Sequence, residues 1–124
     1  MKTFYEEVGG EAFFSDLVSQ FYARVATNEI LAPMYPKKDM KGAARRLQLF
    51  LEQYWGGPTT YQEERGHPRL RMRHAGFHIN PAARGAWLEC MQGALEGMEM
   101  DEIHRNQLWS YLVMAADSMV NQLD

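Results

Sequence analysis

Histidines are the residues of this chain with the most informative chemistry, and four are present. His74 and His78 are four residues apart, a spacing that can place two imidazoles on one helix face for zinc. Gly76 lies between them, however, and no glutamate occupies the catalytic position of a zinc-protease motif. A zinc pair is therefore disfavoured. His104 stands at a charged helix start, and we expect it to be a solvated surface residue.

His74 differs from the other histidines in its neighbours, which are rich in arginine. The four arginines that precede it closely are Arg65, Arg69, Arg71 and Arg73. One interpretation is a solvated basic patch that balances an acidic chain. The other is a metal-binding imidazole beside a rim that binds anionic groups. The residues by themselves allow both interpretations.

The composition permits a flat ligand between apolar walls. The chain contains six Phe, six Tyr, three Trp and nine Met, whose side chains fill large, irregular spaces. A bulky core is one explanation, and a pocket for a planar ligand is the other. Haem would use all of these features, because it needs an axial imidazole, apolar walls and arginines for its propionates. Each feature also occurs in ordinary helical proteins, so both explanations stay open at this point.

Several other sites and partners are disfavoured. No Ser–His–Asp or Cys–His arrangement is readable, and there is no Gly-rich phosphate motif. The net charge of −3 argues against general nucleic-acid binding. Cys90 is the only cysteine, which suits a reducing compartment. Acidic residues stand where a signal peptide would be apolar, and no apolar run approaches about twenty residues. We therefore expect a soluble, cytoplasmic protein without a membrane segment.

Helices must position these residues, because helical periodicity dominates the pattern. The 124 residues are expected to form one domain, 1–124. Residues 69–73 alternate charged and apolar side chains but have no partner strand, so a short helix is favoured there and the fold is all-α. Irregular segments are expected at 28–40 and 56–69, and loops of this length are usually functional. Apolar stripes and stop signals predict helices at about 3–8, 11–27, 41–54, 81–97 and 101–122.

A set of motifs in a fixed order extends over essentially the whole chain. The Gly pairs are weak signals, whereas the two long runs are highly specific. The motifs are Gly9-Gly10, Phe21-Tyr22, Tyr35-Pro36, Phe50-Leu51-Glu52-Gln53-Tyr54-Trp55-Gly56-Gly57-Pro58, Arg65-Gly66-His67-Pro68-Arg69-Leu70-Arg71-Met72-Arg73-His74 and Ala86-Trp87-Leu88. On these motifs the sequence closely resembles the group II truncated haemoglobins, the bacterial and plant branch of the two-over-two globins.

The resemblance implies a two-over-two helical sandwich around haem b (iron protoporphyrin IX). Helices 11–27 and 41–54 would stack on helices 81–97 and 101–122, with the haem between the 41–54 and 81–97 helices. His74 would be the proximal iron ligand, on a short helix after a long loop. The implied distal residues are Tyr22, Tyr35, Trp87, Ala43 and Leu47. Propionate contacts are expected from Arg73 first, then Arg46 and Tyr61, and pocket walls from Phe21, Phe50, Leu51, Met72, Ile79 and Met91.

The implied function is reversible binding of oxygen, and of diatomics such as nitric oxide or carbon monoxide, at ferrous iron. Phenol and indole donors would each stabilise a polarised ligand by roughly 1.5–3 kcal/mol, so slow release is expected. The alternative is a redox enzyme on the same haem, a nitric oxide dioxygenase or a peroxidase-like enzyme acting on peroxide. Because no flavin or nicotinamide motif is present, that enzyme would need an external reductase. A third hypothesis, a haem-free helical interaction module, requires His74 to be merely structural. A monomer or a small homo-oligomer is expected.

Overall fold

Helices form the regular structure of the protein in this computed structural model, which describes residues 1–35 and 37–124. No strand occurs in these two ranges. Pro36 of the Tyr35-Pro36 motif lies outside them. None of the described helices is long and apolar enough to cross a membrane. The α-helices are α1 (Phe4–Val8), α2 (Gly10–Val25), α3 (Met40–Tyr54), α4 (Thr60–Arg65), α5 (Leu70–Arg73), α6 (Pro81–Glu96) and α7 (Glu102–Met119), and 3-10 turns lie at Ala32–Met34 and Lys37–Asp39.

The four long helices pack as two pairs. Helix α2 contacts both α3 and α6, and α6 also contacts α7. The pair α2 and α3 therefore lies against the pair α6 and α7, and the expected all-α, two-over-two arrangement is confirmed. The apolar stripes meet at the centre, where the largest fully buried side chains are Phe14, Leu17, Phe21, Leu51, Met91, Leu108 and Leu112.

Local capping explains where several helices begin. The Thr3 side chain accepts from the Glu6 amide, and the Glu6 side chain reaches back to Thr3, so α1 begins with a capping box. The Asn80 side chain accepts from the amide of Ala83 at the start of α6. Asp101 caps the start of α7 in the same way, because its side chain accepts from the amide of His104.

His104 is less exposed than the sequence suggests. Its side chain is only 17% exposed, and Nδ1 lies 2.8 Å from Oδ1 of Asp101. The imidazole also makes an edge contact with the ring of Phe4, at 5.2 Å between centroids. The expectation of a solvated surface residue is therefore wrong, because His104 serves as a contact between the starts of α1 and α7.

The secondary structure differs from the expected one in two places, and tertiary contacts explain both. The segment 56–69 was expected to be irregular but contains α4, whose one apolar side chain, Tyr61, is buried against Phe50 at 5.7 Å between ring centroids. Helix α7 ends at Met119 and does not continue to 122, because the next residues bond to Ile79. The short helix predicted at 69–73 is confirmed as α5.

Glu52 of α3 is a charged side chain buried among these helices, and it is 4% exposed. Burial raises the pKa of its carboxyl, and the nearby charge of Glu11 adds to the effect. The amide Nε2 of Gln48 donates to Oε2 of Glu52 at 3.1 Å and partly offsets the shift. The ionised carboxylate is therefore a cost to the folded state.

We predict that Glu52→Gln stabilises the fold at neutral pH. Because the folded state holds this proton more tightly than the unfolded chain, stability falls as the pH rises above the ordinary value of 4.5. The gain should be present at pH 7 and should vanish near about pH 4, where the wild-type carboxyl is protonated as well. Urea unfolding from pH 4 to 8, at matched haem content, measures it.

Glu63→Gln is the matched control, because Glu63 is an exposed glutamate of α4. Its effect should stay within about 0.5 kcal/mol at every pH. A loss of stability in Glu52→Gln at pH 7 would show that the carboxylate is favourably paired in the folded state and would contradict the argument.

Candidate functional site

A cavity of about 570 Å³ lies between α3 on one side and α6 and α7 on the other. This volume falls within the range of about 300–1,000 Å³ that is usual for small-molecule sites. Helix α5 and the turns around Tyr35 and Ile79 close it further. Most of the residues expected at the site line this cavity, namely Tyr22, Tyr35, Ala43, Arg46, Leu47, Phe50, Leu51, Tyr61, Arg73, His74, Ile79 and Trp87.

Three residues expected as pocket walls do not line the cavity. Phe21 and Met91 are fully buried in the core behind it, and the Phe21 ring packs 5.3 Å from the ring of Trp87. Met72 is 61% exposed. Its assignment as a wall is wrong, because Leu70 and His74 share the inward face of the single turn of α5 at i, i+4 spacing. Met72 projects from the opposite face.

His74 follows the last residue of α5 and lines the cavity. Its Nδ1 lies 2.7 Å from the carbonyl oxygen of Leu70, so Nδ1 carries the proton and donates it. Nε2 then holds the lone pair and is the ring nitrogen available to a metal. His78 has a separate partner, since its Nε2 lies 2.9 Å from the main-chain oxygen of Asp124. An imidazole fixed by a carbonyl through its second nitrogen is the arrangement that a metal-ligating histidine requires.

Three polar side chains, those of Tyr22, Tyr35 and Trp87, form a second cluster on the cavity. The rings of Tyr22 and Tyr35 are perpendicular, with centroids 5.6 Å apart. Burial raises the pKa of Tyr22, and the hydrogen bond that its hydroxyl donates to Tyr35 also raises it. Burial raises the pKa of Tyr35 as well, although hydrogen bonds from Tyr22 and from the Trp87 indole act in the opposite direction. Tyr22 and Trp87 therefore both approach the Tyr35 hydroxyl, whose O–H can donate to a ligand.

The two arginines expected to contact the propionates, Arg46 and Arg73, already have partners within the protein. Nη2 of Arg46 donates to Oδ2 of Asp39 at 2.9 Å. The guanidinium of Arg73 donates to three main-chain carbonyls, those of Pro68 and Arg65 at 2.7 Å and that of His67 at 3.3 Å. Arg73 therefore holds the loop before α5 in place. The propionate roles of Arg46, Tyr61 and Arg73 stay predictions, and a bound carboxylate would have to share these donors.

Sequence reasoning missed part of the wall. Arg84 of α6 lines the cavity and pairs with Asp117. Its position three residues before Trp87 puts both on one helix face, which is a signal that could have identified it. Part of α7 also lines the cavity, from Tyr111 to Met119. The wall residues not anticipated as such are Leu31, Met34, Asp39, Arg65, Leu70, Phe77, Ala83, Arg84, Tyr111, Leu112, Ala115, Ala116 and Met119.

The site fits a planar, anionic ligand that carries a metal. It has one imidazole with a free Nε2, walls that are mostly apolar, and arginines among the lining residues. The polar cluster of Tyr22, Tyr35 and Trp87 supplies O–H and N–H donors. Such donors favour a further small ligand on which negative charge develops.

Comparison with known proteins gives the same assignment. The family model described as bacterial-like globin matches residues 3–121. The chain is 42% identical to the group 2 truncated hemoglobin YjbI of Bacillus subtilis (strain 168), over 97% of this chain and 89% of that protein.

Solved structures agree with the sequence match. A thermostable hemoglobin from Thermobifida fusca has a TM-score of 0.96 and 50% identity, covering 99% of this chain and 100% of that one. The truncated oxygen-avid haemoglobin from Bacillus subtilis has a TM-score of 0.89 and 43% identity, covering 97% and 100% respectively. The chain therefore belongs to the bacterial-like globin family, within the group II truncated haemoglobins.

Proposed function

We propose that the chain binds haem b through His74 and binds oxygen reversibly in the distal part of the cavity, with slow release. As a member of the globin family it is a haem protein that binds oxygen. The type of haem, the roles of single residues and the slow release are the parts that we add. The observation that carries them is the position of His74 and of the Tyr22–Tyr35–Trp87 cluster on the same cavity.

Haem, when bound, supplies a ferrous iron at which a diatomic ligand becomes partly anionic. The side chains of the protein stabilise that partial negative charge. The free O–H of Tyr35 is the direct donor, while Tyr22 and Trp87 hold the Tyr35 oxygen and orient it. A charge-assisted hydrogen bond of this kind contributes roughly 1.5–3 kcal/mol. A single donor would thus slow release by about tenfold to a hundredfold. The oxygen-avid haemoglobin of Bacillus subtilis is a relative in keeping with this proposal.

A redox reaction at the same site is the second candidate. The Tyr35 hydroxyl that would stabilise bound oxygen would also polarise a peroxide for cleavage of its O–O bond. Nitric oxide dioxygenation or peroxidase-like turnover would then draw electrons from an external reductase. Nitric oxide and carbon monoxide are further proposed ligands. We also propose a cytoplasmic location, whose reducing environment suits the free Cys90. Membership of the globin family argues against the haem-free interaction module.

We predict that His74→Ala abolishes most haem binding, because none of the other described histidines lines this cavity. The purified wild-type chain, with hemin added, should show a Soret band in its visible spectrum. The variant should lose most of that band. His67→Ala is the matched control, since His67 is an exposed histidine of the same segment, and it should keep the band. A wild-type chain with no Soret band after hemin addition would overturn the proposed function.

We predict that Tyr35→Phe speeds oxygen release by about tenfold or more. This variant removes the direct donor and leaves the Tyr22 hydroxyl and the Trp87 indole without their acceptor. Tyr22→Phe and Trp87→Phe should speed release less, because they act through Tyr35. Stopped-flow release from the reduced, oxygen-bound protein measures the rate. Tyr54→Phe is the control on a half-exposed tyrosine and should match the wild type. Wild-type release rates in all three cluster variants would refute the donor argument.

We also predict that the rate of oxygen release is nearly constant from about pH 6 to about pH 9. The pKa of Tyr22 and that of Tyr35 both lie above the ordinary value of 10.0, so both phenols keep their protons in this range. Loss of the Tyr35 proton at higher pH would remove the donor and accelerate release. Tyr35→Phe should lack this alkaline acceleration. A wild-type acceleration centred below about pH 9 would contradict the pKa directions.

A further inference from the structure

The residues after α7 contact the segment that carries His74. Nδ2 of Asn121 donates to the carbonyls of His74 at 3.3 Å and Phe77 at 2.9 Å. Oδ1 of Asn121 accepts from the amide of Ile79 at 3.0 Å. The main-chain amides of Asn121 and Gln122 both donate to the Ile79 carbonyl, at 2.9 and 3.2 Å. All the polar atoms of the Asn121 side chain are thus engaged with residues 74–79.

Arg71 of α5 also bonds to the residues at the end of α7. Its Nη1 donates to the carbonyls of Ser118 and Val120, each at 2.8 Å. These carbonyls belong to the end of α7, where the helix stops and Asn121 begins its turn toward Ile79. The end of α7 is therefore bonded to α5 before His74 and to the turn after it. We refer to Arg71, Asn121 and their partners as the C-terminal clasp.

The segment around His74 has little structure of its own to hold it. Helix α5 is four residues long, a single turn, which is unstable without tertiary contacts. The turn after it contains Gly76, around which there is open space on the side where a Cβ would lie. Two short-range hydrogen bonds close that turn, from the Ala75 amide to the Met72 carbonyl at 3.2 Å and from the Phe77 amide to the His74 carbonyl at 3.0 Å. The position of His74 therefore depends on bonds from outside the segment.

We propose that Asn121 is a positioning residue for His74. Its Nδ2 binds the carbonyl of His74 itself, so it fixes the main chain from which the imidazole projects. The hydrogen bond from Nδ1 to Leu70 then fixes the rotation of the ring. Together they determine where Nε2 stands in the cavity. The inference rests on the proposed function in one respect, that His74 is the iron ligand.

The experiment compares wild type with Asn121→Ala, both as full-length chains loaded with haem. Two quantities are measured: the iron–histidine stretching band in resonance Raman spectra of the ferrous protein, and the rate of hemin transfer to excess apomyoglobin. In the variant we expect a shifted or broadened band and hemin transfer faster by about tenfold, as for other loosened metal-ligating histidines. Asn106→Ala, an exposed asparagine of α7, is the matched control and should leave both quantities unchanged.

Two further variants separate the parts of the clasp. Asn121→Asp keeps an acceptor for the Ile79 amide but loses both N–H donors, so it should behave like Asn121→Ala. Arg71→Gln leaves Asn121 in place and removes the hydrogen bonds from the Arg71 guanidinium to the end of α7. It should therefore change both quantities in the same direction but less. It also provides the test if Asn121→Ala fails to fold.

The outcomes are distinct. A lower melting temperature in Asn121→Ala, with the Raman band and the hemin transfer rate of the wild type, would overturn the inference and make Asn121 a residue for stability alone. A wild-type chain that shows no iron–histidine band would overturn the proposed function and the inference together. A shifted band in Asn121→Ala with normal behaviour of Asn106→Ala would support both.

Discussion

The hydrogen bond from Nδ1 of His74 to the carbonyl of Leu70 is the interaction on which the site depends. It determines which nitrogen of the ring keeps a lone pair, and it ties the ring to its own helical turn. That turn is only four residues long, so it cannot set its own position. Arg73 connects it to the loop before it, and Asn121 connects the residues after it to the end of α7. The shortest α-helix among the described residues, α5, is thus directly followed by His74, the side chain whose position matters most for the site.

The distal cluster meets a different constraint, because polar groups in an apolar cavity are costly unless they bond to one another. Tyr35 meets this constraint by lying beside the polar groups of Tyr22 and Trp87, which lower the pKa that burial raises. Phe21 lies behind this cluster and packs edge-on against Tyr22 and Trp87, with centroids 5.0 and 5.3 Å away. Its role is to hold the donors rigidly while it stays out of the cavity itself. A preorganised donor loses little free energy to reorientation when a ligand arrives.

The sequence predicted the long helices well because their apolar stripes decide them, and it predicted the site residues chiefly through their motifs. What it could not predict depends on tertiary structure. Helix α4 was missed because Tyr61 is its single apolar residue and gives no periodicity. The end of α7 is set by bonds to Ile79, some forty positions earlier in the chain. Met72 was placed on the wrong face because a stretch of alternating residues does not reveal the rotation of a one-turn helix.

Residues 111–121 complete a site whose other parts lie much earlier in the sequence. Tyr111 to Met119 supply one wall of the cavity, and Asn121 follows directly after them. A nascent chain in which α2, α3 and α5 have left the ribosome already contains His74, Tyr22 and Tyr35, but its cavity is not closed. The cavity can close only after residues 111–121 have left the ribosomal tunnel. Closure of the cavity around a cofactor therefore requires residues 111–121, and a nascent chain stalled before this point exposes an unfinished apolar groove.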